Sequence, residues 1–191
     1  MKILKYTLIL IGVLIVGFLL MGVVKPQVSY DCEISVDKPV QESWAVIQDE
    51  EKLSDWLTGF KRIEHVSGTP GTEGAVADVY FDNNGQEMAI RETITSLVPD
   101  ESISMSYTSD FMNMDYNLSM EDVEGGTKIN TNTVAKGNGM FARSMMALMA
   151  GSIKAQETMN LENLKQTIEK NEKNYFPVDT MVVDSLSNIV N

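Results

Sequence analysis

Residues 111–121 read FMNMDYNLSME. The alternation is unbroken, with Met112, Met114, Tyr116, Leu118 and Met120 on one side and Asn113, Asp115, Asn117 and Ser119 on the other. A period of two with a single apolar side predicts a strand covered on one face only. The same rhythm continues in both directions. Upstream, Asp110 turns the chain out of ISMSYTS (residues 103–109), and Pro99-Asp100 turns it out of EMAIRETITSL, which faces AVADVYFD across Asn83-Asn84-Gly85. An Asn-Gly pair between two alternating runs is a strong hairpin signal. Downstream, Gly125-Gly126 leads into TKINTNTVAK. With a strand over 61–67, these runs predict an antiparallel meander of five or six strands.

The flanks supply the rest of an α+β domain. VSYDCEISVD (residues 28–37) alternates as a half-buried strand and stops at Asp37-Lys-Pro39. Pro39 suits the first turn of a helix whose buried stripe is Val40, Ser43, Trp44 and Ile47, and Glu50 to Leu57 predicts a second short helix. From Met140 to Lys170 the spacing becomes helical, with Ile153, Leu161, Leu164 and Ile168 on one side and Gly151-Ser152 as an interruption. The first half of this helix, around Met145-Met146-Ala-Leu148-Met149, is apolar nearly all round and is expected to be the more deeply enclosed half. Residues 172–191 read as a tail in which Phe176, Met181, Val182, Leu186 and Ile189 form a further amphipathic element.

Three stretches in this order resemble the SRPBCC superfamily, the helix-grip fold of START lipid-transfer domains, birch-pollen-allergen-type proteins and polyketide cyclase/dehydrase-like proteins. They are VDKPVQESWAVIQDEEKLSDWLTGF, ETITSLVPDESISMSYTS and GNGMFARSMMALMAGSIKAQETMNLENLKQTIE. The likeness covers about residues 28–170, within a domain expected at 26–171. It implies a curved antiparallel sheet of six to seven strands wrapped around the long C-terminal helix, with a cavity between them. It implies no particular reaction, because the superfamily's members bind or process different ligands.

Outside that likeness, Tyr6 to Val24 is nineteen residues without a charge, enough at about 1.5 Å per residue to cross a hydrocarbon core. A cleaved signal peptide would end in a small-x-small site, which Gly22-Val-Val-Lys-Pro-Gln does not offer, and Tyr30-Asp31 before Cys32 does not form a lipobox. Residues 1–25 therefore read as an uncleaved single-pass anchor. Lys2 and Lys5 against Lys25 favour an extracytoplasmic domain. The remaining twelve Lys/Arg stand against 27 carboxylates, a net charge of −15 after residue 25, which opposes binding to nucleic acid and to anionic lipid headgroups. One cysteine, Cys32, and one histidine, His65, exclude a disulfide framework and the usual zinc spacings, and no cofactor is implied.

Candidate site residues follow from the apolar side of the meander. Met88, Ile90, Met105, Tyr107, Met112, Met114, Tyr116 and Leu118 are expected to face Met145, Met149 and Ile153 of the helix. Methionine is flexible and polarisable, suiting a surface that adapts to apolar ligands and equally a filled core. Glu92 interrupts the apolar side between Ile90 and Ile94, and Glu157 falls within the helix stripe. An enclosed carboxylate has a raised pKa and can donate a proton or anchor a ligand's polar end, whereas one that reaches solvent or an arginine does neither. His65 and Tyr107 complete the catalytic candidates, with Trp44 and Trp56 read as packing residues. Three functions remain open: a membrane-anchored binder of a hydrophobic small molecule or lipid, a cyclase, dehydratase or hydrolase using the same cavity, and a filled interaction domain.

Overall fold

The computed structural model describes residues 2–83 and 85–176. The chain opens with helix α1 (Lys2–Val24), followed by strand β1 (Val28–Val36), helix α2 (Val40–Gln48), a 3-10 turn (Glu50–Lys52) and the one-turn helix α3 (Leu53–Trp56). Six strands follow: β2 (Phe60–Ser67), β3 (Val76–Asn83), β4 (Gln86–Val98), β5 (Ser102–Thr108), β6 (Met112–Val123) and β7 (Gly126–Gly137). Helix α4 (Met140–Glu169) closes the fold. The strands form one antiparallel sheet in the order β1-β7-β6-β5-β4-β3-β2.

Each hairpin joins sequence neighbours, and β1 returns to pair with β7, Val28 opposite Ala135 and Ile34 opposite Ile129. Register shifts between Ile94 and Ser96 of β4, and twice within β2, supply the local bends that let a sheet curl. At the β3–β4 turn, Gly85 takes φ +84° and donates its N–H to Asp82 Oδ1 at 2.7 Å. That left-handed backbone is where glycine is easily accommodated.

The sheet closes on α4 at one end. Val36, Val46, Leu118, Ile129, Leu161, Leu164 and Ile168 are almost wholly removed from solvent and form one apolar cluster with α2 and α3. A smaller cluster gathers Val28, Ala135 and Met146 with Tyr30, Met112, Met114 and Ala150 near the start of α4.

Four details differ from the sequence reading. The segment 50–57 is a 3-10 turn and a separate helical turn, because Asp49 accepts the Glu51 N–H at 3.1 Å and starts a tighter turn. Trp44 is only half-buried on α2, and Val46 takes its place in the buried stripe. Gly151-Ser152 do not interrupt α4, which runs unbroken for 30 residues. The apolar first half of α4 is not the more enclosed half: Ala142, Ser144 and Met146 are buried, but Phe141 and Leu148 are each 60% exposed. One side of it packs on the sheet through Met146, and another meets α1. Ser144 Oγ donates to the Leu19 carbonyl at 3.3 Å, and the Phe18 and Phe141 rings stand 5.7 Å apart. A Cβ on Gly22 would lie 2.5 Å from Ser144 Oγ, so only glycine allows this approach.

Beyond α4, Lys173 pairs with Asp49 at 2.8 Å and Glu51 at 3.1 Å, while Tyr175 donates its hydroxyl to Asp49 at 2.7 Å. The expected amphipathic element at Met181, Val182, Leu186 and Ile189 lies outside the described residues.

Candidate functional site

Cross-strand pairing decides which inner-face residues meet. Glu92 of β4 stands opposite Tyr107 of β5, and Tyr107 opposite Met114 of β6. The next row runs from Ile94 through Met105 and Tyr116 to Thr133 and Tyr30. Below it, Ile103 pairs with Leu118, at the edge of the sealed core. Between these rows and α4 lies a cavity of about 260 Å³, floored by Ile90, Ile94, Ile103, Met105, Met114 and Leu118. Ile47, Leu53, Trp56 and Leu57 wall it from the helical side, and Ala75, Ala77, Val79 and Phe81 from β3.

Two carboxyl–phenol pairs break this apolar lining. Tyr116 donates its hydroxyl to Glu157 Oε1 at 3.1 Å, reaching from β6 to α4. The Tyr107 hydroxyl lies against the Glu92 carboxyl and 3.3 Å from the Met105 sulfur. The two rings meet edge to face, 6.4 Å apart, so the pairs are neighbours. Burial pushes the Glu92 and Glu157 carboxyls above the usual glutamate value, since the charged form loses hydration there. Burial likewise raises the Tyr107 and Tyr116 hydroxyls well above the ordinary phenol value, and Tyr30 to about 12. These tyrosines stay neutral donors at any physiological pH.

At the rim His65 Nε2 sits 3.0 Å from Glu50 Oε1, and the Pro70-Gly71 loop borders the opening. No Lys or Arg among the described residues lines the cavity. The indole N–H of Trp56, a buried residue of the cavity wall, has no partner among the described residues. Among those residues there is also no cluster of three or more His, Cys, Asp and Glu side chains able to hold a metal ion.

Ile90, Glu92, Met105, Tyr107, Met114, Tyr116, Leu118, Glu157 and His65 thus gather around one cavity. The other candidates lie elsewhere. Met88 is on the same face of β4 but beyond the cover of the helices, and it is 41% exposed. Met112 packs in the small cluster near Met146, Met149 is exposed, and Met145 and Ile153 are half-buried away from the lining. On the first half of α4 it is Met146 and Ala150 that face the sheet, while Phe141 and Ser144 meet α1. Tyr30, Glu50 and Asn160 line the cavity without having been singled out, and Trp56, read as a packing residue, forms part of its wall. Tyr30 was within reach, because it lies on the apolar side of the alternation in residues 28–37. The others depend on how separate elements pack.

A seven-stranded antiparallel sheet closed by a long C-terminal helix, with a mostly apolar cavity between them, defines a helix-grip architecture. The chain belongs to the polyketide cyclase / dehydrase and lipid transport family, whose model matches residues 27–169. No curated protein matches it. Among solved structures it is similar to the ZhuI aromatase/cyclase from a Streptomyces species (12% identity, 80% of this chain and 99% of that one, TM-score 0.64). It is also similar to Ara h 8.0201 (15%, 76% and 99%, 0.61) and to a protein of unknown function from Staphylococcus aureus (15%, 75% and 94%, 0.60). At these identities the likeness is one of fold.

Proposed function

We propose that this protein binds a compact hydrophobic small molecule or a single lipid chain in the cavity between sheet and α4, while α1 holds it in a membrane. The observation that carries this reading is the lining itself: an apolar floor from three neighbouring strands, interrupted only by polar groups that converge from opposite sides. A volume of about 260 Å³ lies just under the usual range of ligand pockets, roughly 300–1,000 Å³, which favours a compact molecule over a two-chain lipid. With Glu92, Glu157 and Glu50 and no Lys or Arg in the lining among the described residues, free carboxylates and phosphates are disfavoured there. A neutral polar group or an amine is accommodated.

Helix α1 is long and apolar enough to cross a membrane, and its side chains are almost all exposed. Lys2 and Lys5 in its first turn and Lys25 after it support an extracytoplasmic domain. Native mass spectrometry of the detergent-extracted full chain tests the binding reading. A co-purifying apolar ligand is expected in the wild type and is lost in Ala77→Trp, which fills the cavity. An empty wild-type protein that also fails to take up an apolar fluorescent dye would overturn it.

A second reading is favoured by the two carboxyl–phenol pairs, which are the parts of an acid–base catalyst. In it Glu92 and Glu157 exchange protons with a bound substrate, and Tyr107 and Tyr116 stabilise developing negative charge. Incubating the recovered ligand with fresh protein separates the two. A change of mass that is abolished in Glu92→Gln and Glu157→Gln supports turnover, and an unchanged ligand leaves binding alone.

A further inference from the structure

The first half of α4 presents an apolar surface that the fold leaves open. Phe141 and Leu148 are 60% exposed and Met149 46%, and on the adjoining β5–β6 turn Phe111 is 42% exposed. That turn is tied to the start of α4, because Asn138 donates its backbone N–H to the Phe111 carbonyl at 2.8 Å and its side-chain amide to the Ser109 carbonyl at 2.9 Å. The four side chains therefore belong to one end of the domain.

What covers them is indicated by the helix alongside. Phe141 and Ser144 touch Phe18, Leu19 and Gly22 of α1. At 1.5 Å per residue, Gly22 lies about 3 Å and Phe18 about 9 Å inside the C-terminal end of α1. Once α1 spans a bilayer with Lys25 at the polar boundary, the first turns of α4 lie within the outer 10 Å or so of the lipid. That is the depth at which interfacial helices bury their apolar face. Charge agrees with this depth. No carboxylate occurs between Glu124 and Glu157, in a chain with 27 of them, and the only charged residue from Met140 to Ile153 is Arg143. The Arg143 guanidinium is turned back to donate to the Gly137 carbonyl at 3.2 Å. Asp110 beside Phe111 is an exposed acid on the turn that leads into the patch.

We propose that the first three turns of α4, with Phe111 on the neighbouring turn, are a bilayer-docking surface that seats the domain in the lipid beside α1. This rests on α1 spanning a membrane, and it adds a second, independent lipid contact made by the folded domain. The small cluster of Met112, Met114 and Met146 then lies just behind the docked surface. Met114 belongs both to this cluster and to the cavity floor, so the lipid-facing side and the cavity share a wall.

Site-directed spin labelling of the full chain in phosphatidylcholine nanodiscs tests this. In a Cys32→Ser background, nitroxides are attached at Leu10→Cys, Phe141→Cys, Leu148→Cys and Met159→Cys. Collision with oxygen, which concentrates in lipid, is compared with collision with a water-soluble nickel chelate. Labels at positions 141 and 148 are expected to collide more with oxygen than with nickel, like the label at 10, while position 159 shows the reverse. Nickel access at 141 and 148 equal to that at 159, with position 10 still shielded, overturns the docking surface and leaves the anchor standing. Nickel access at position 10 as well overturns both. Low collision with both reagents at 148, together with dipolar broadening between labels, makes a second copy of the chain the occupant and overturns the lipid assignment.

Discussion

The two halves of α4 differ in composition and in what surrounds them. In the second half, Lys154, Glu162, Lys165 and Glu169 are interspersed with Leu161, Leu164 and Ile168, and those three apolar residues are sealed in the core. The first half is far richer in apolar residues and yet turns Phe141, Leu148 and Met149 outward. Periodicity marks the side that a chain covers with its own residues. Apolar density without periodicity marks the solvent for which the segment is built. Glu157 sits near the junction, where the cover over the sheet passes from close packing to cavity.

The comparison can be broken most forcefully in the sealed half. Leu164→Ala leaves a void where nothing is exposed, and it is expected to cost about 2–5 kcal/mol in urea unfolding of the detergent-solubilised chain. A cost near zero would mean that this end is not the core. At the junction the effect is one of pH. Because burial raises the Glu92 and Glu157 carboxyls, the native state keeps protons that the unfolded chain releases above about 4.5. Their contribution to stability is therefore fully present below that value and is lost as pH rises through the raised native values. The double variant Glu92→Gln, Glu157→Gln should lose this downward slope, so its stability gains on the wild type as pH rises from 4 to 8. Parallel curves would show that the carboxyls are hydrated.

A smaller effect is expected from Tyr116→Phe, which removes the 3.1 Å hydrogen bond to Glu157. It should cost on the order of 1 kcal/mol at neutral pH and push the Glu157 carboxyl still higher, which can be followed by NMR titration of the labelled carboxyl. Least of all, Leu148→Ser in the open half should change unfolding stability in detergent by no more than about 0.5 kcal/mol. A loss as large as that of Leu164→Ala would erase the distinction between the halves.

The strands were legible because their information is local. The alternation of FMNMDYNLSME and its neighbours, with Asn-Gly and Gly-Gly between runs, fixes pairing and face together. Glu92 and Glu157 could be recognised as misplaced within apolar stripes. Their partners could not be foreseen, since Tyr107 meets Glu92 through strand register and Tyr116 meets Glu157 through the rotation of a helix 41 residues away. Met88, Met145, Met149 and Ile153 show the limit of the same reasoning. A face predicted from period alone carries no statement of where its cover begins, and here α1 takes up part of the helix that would have supplied it.

Only Lys25, Pro26 and Gln27 separate the end of α1 from the start of β1. Three residues fully extended reach about 10 Å, less than the width of the domain they tether. With α1 in a bilayer, such a leash prevents the domain from ferrying cargo across an aqueous gap. Under the proposed binding role, cargo then reaches the cavity from the adjoining membrane, from solution or from a partner that travels to it.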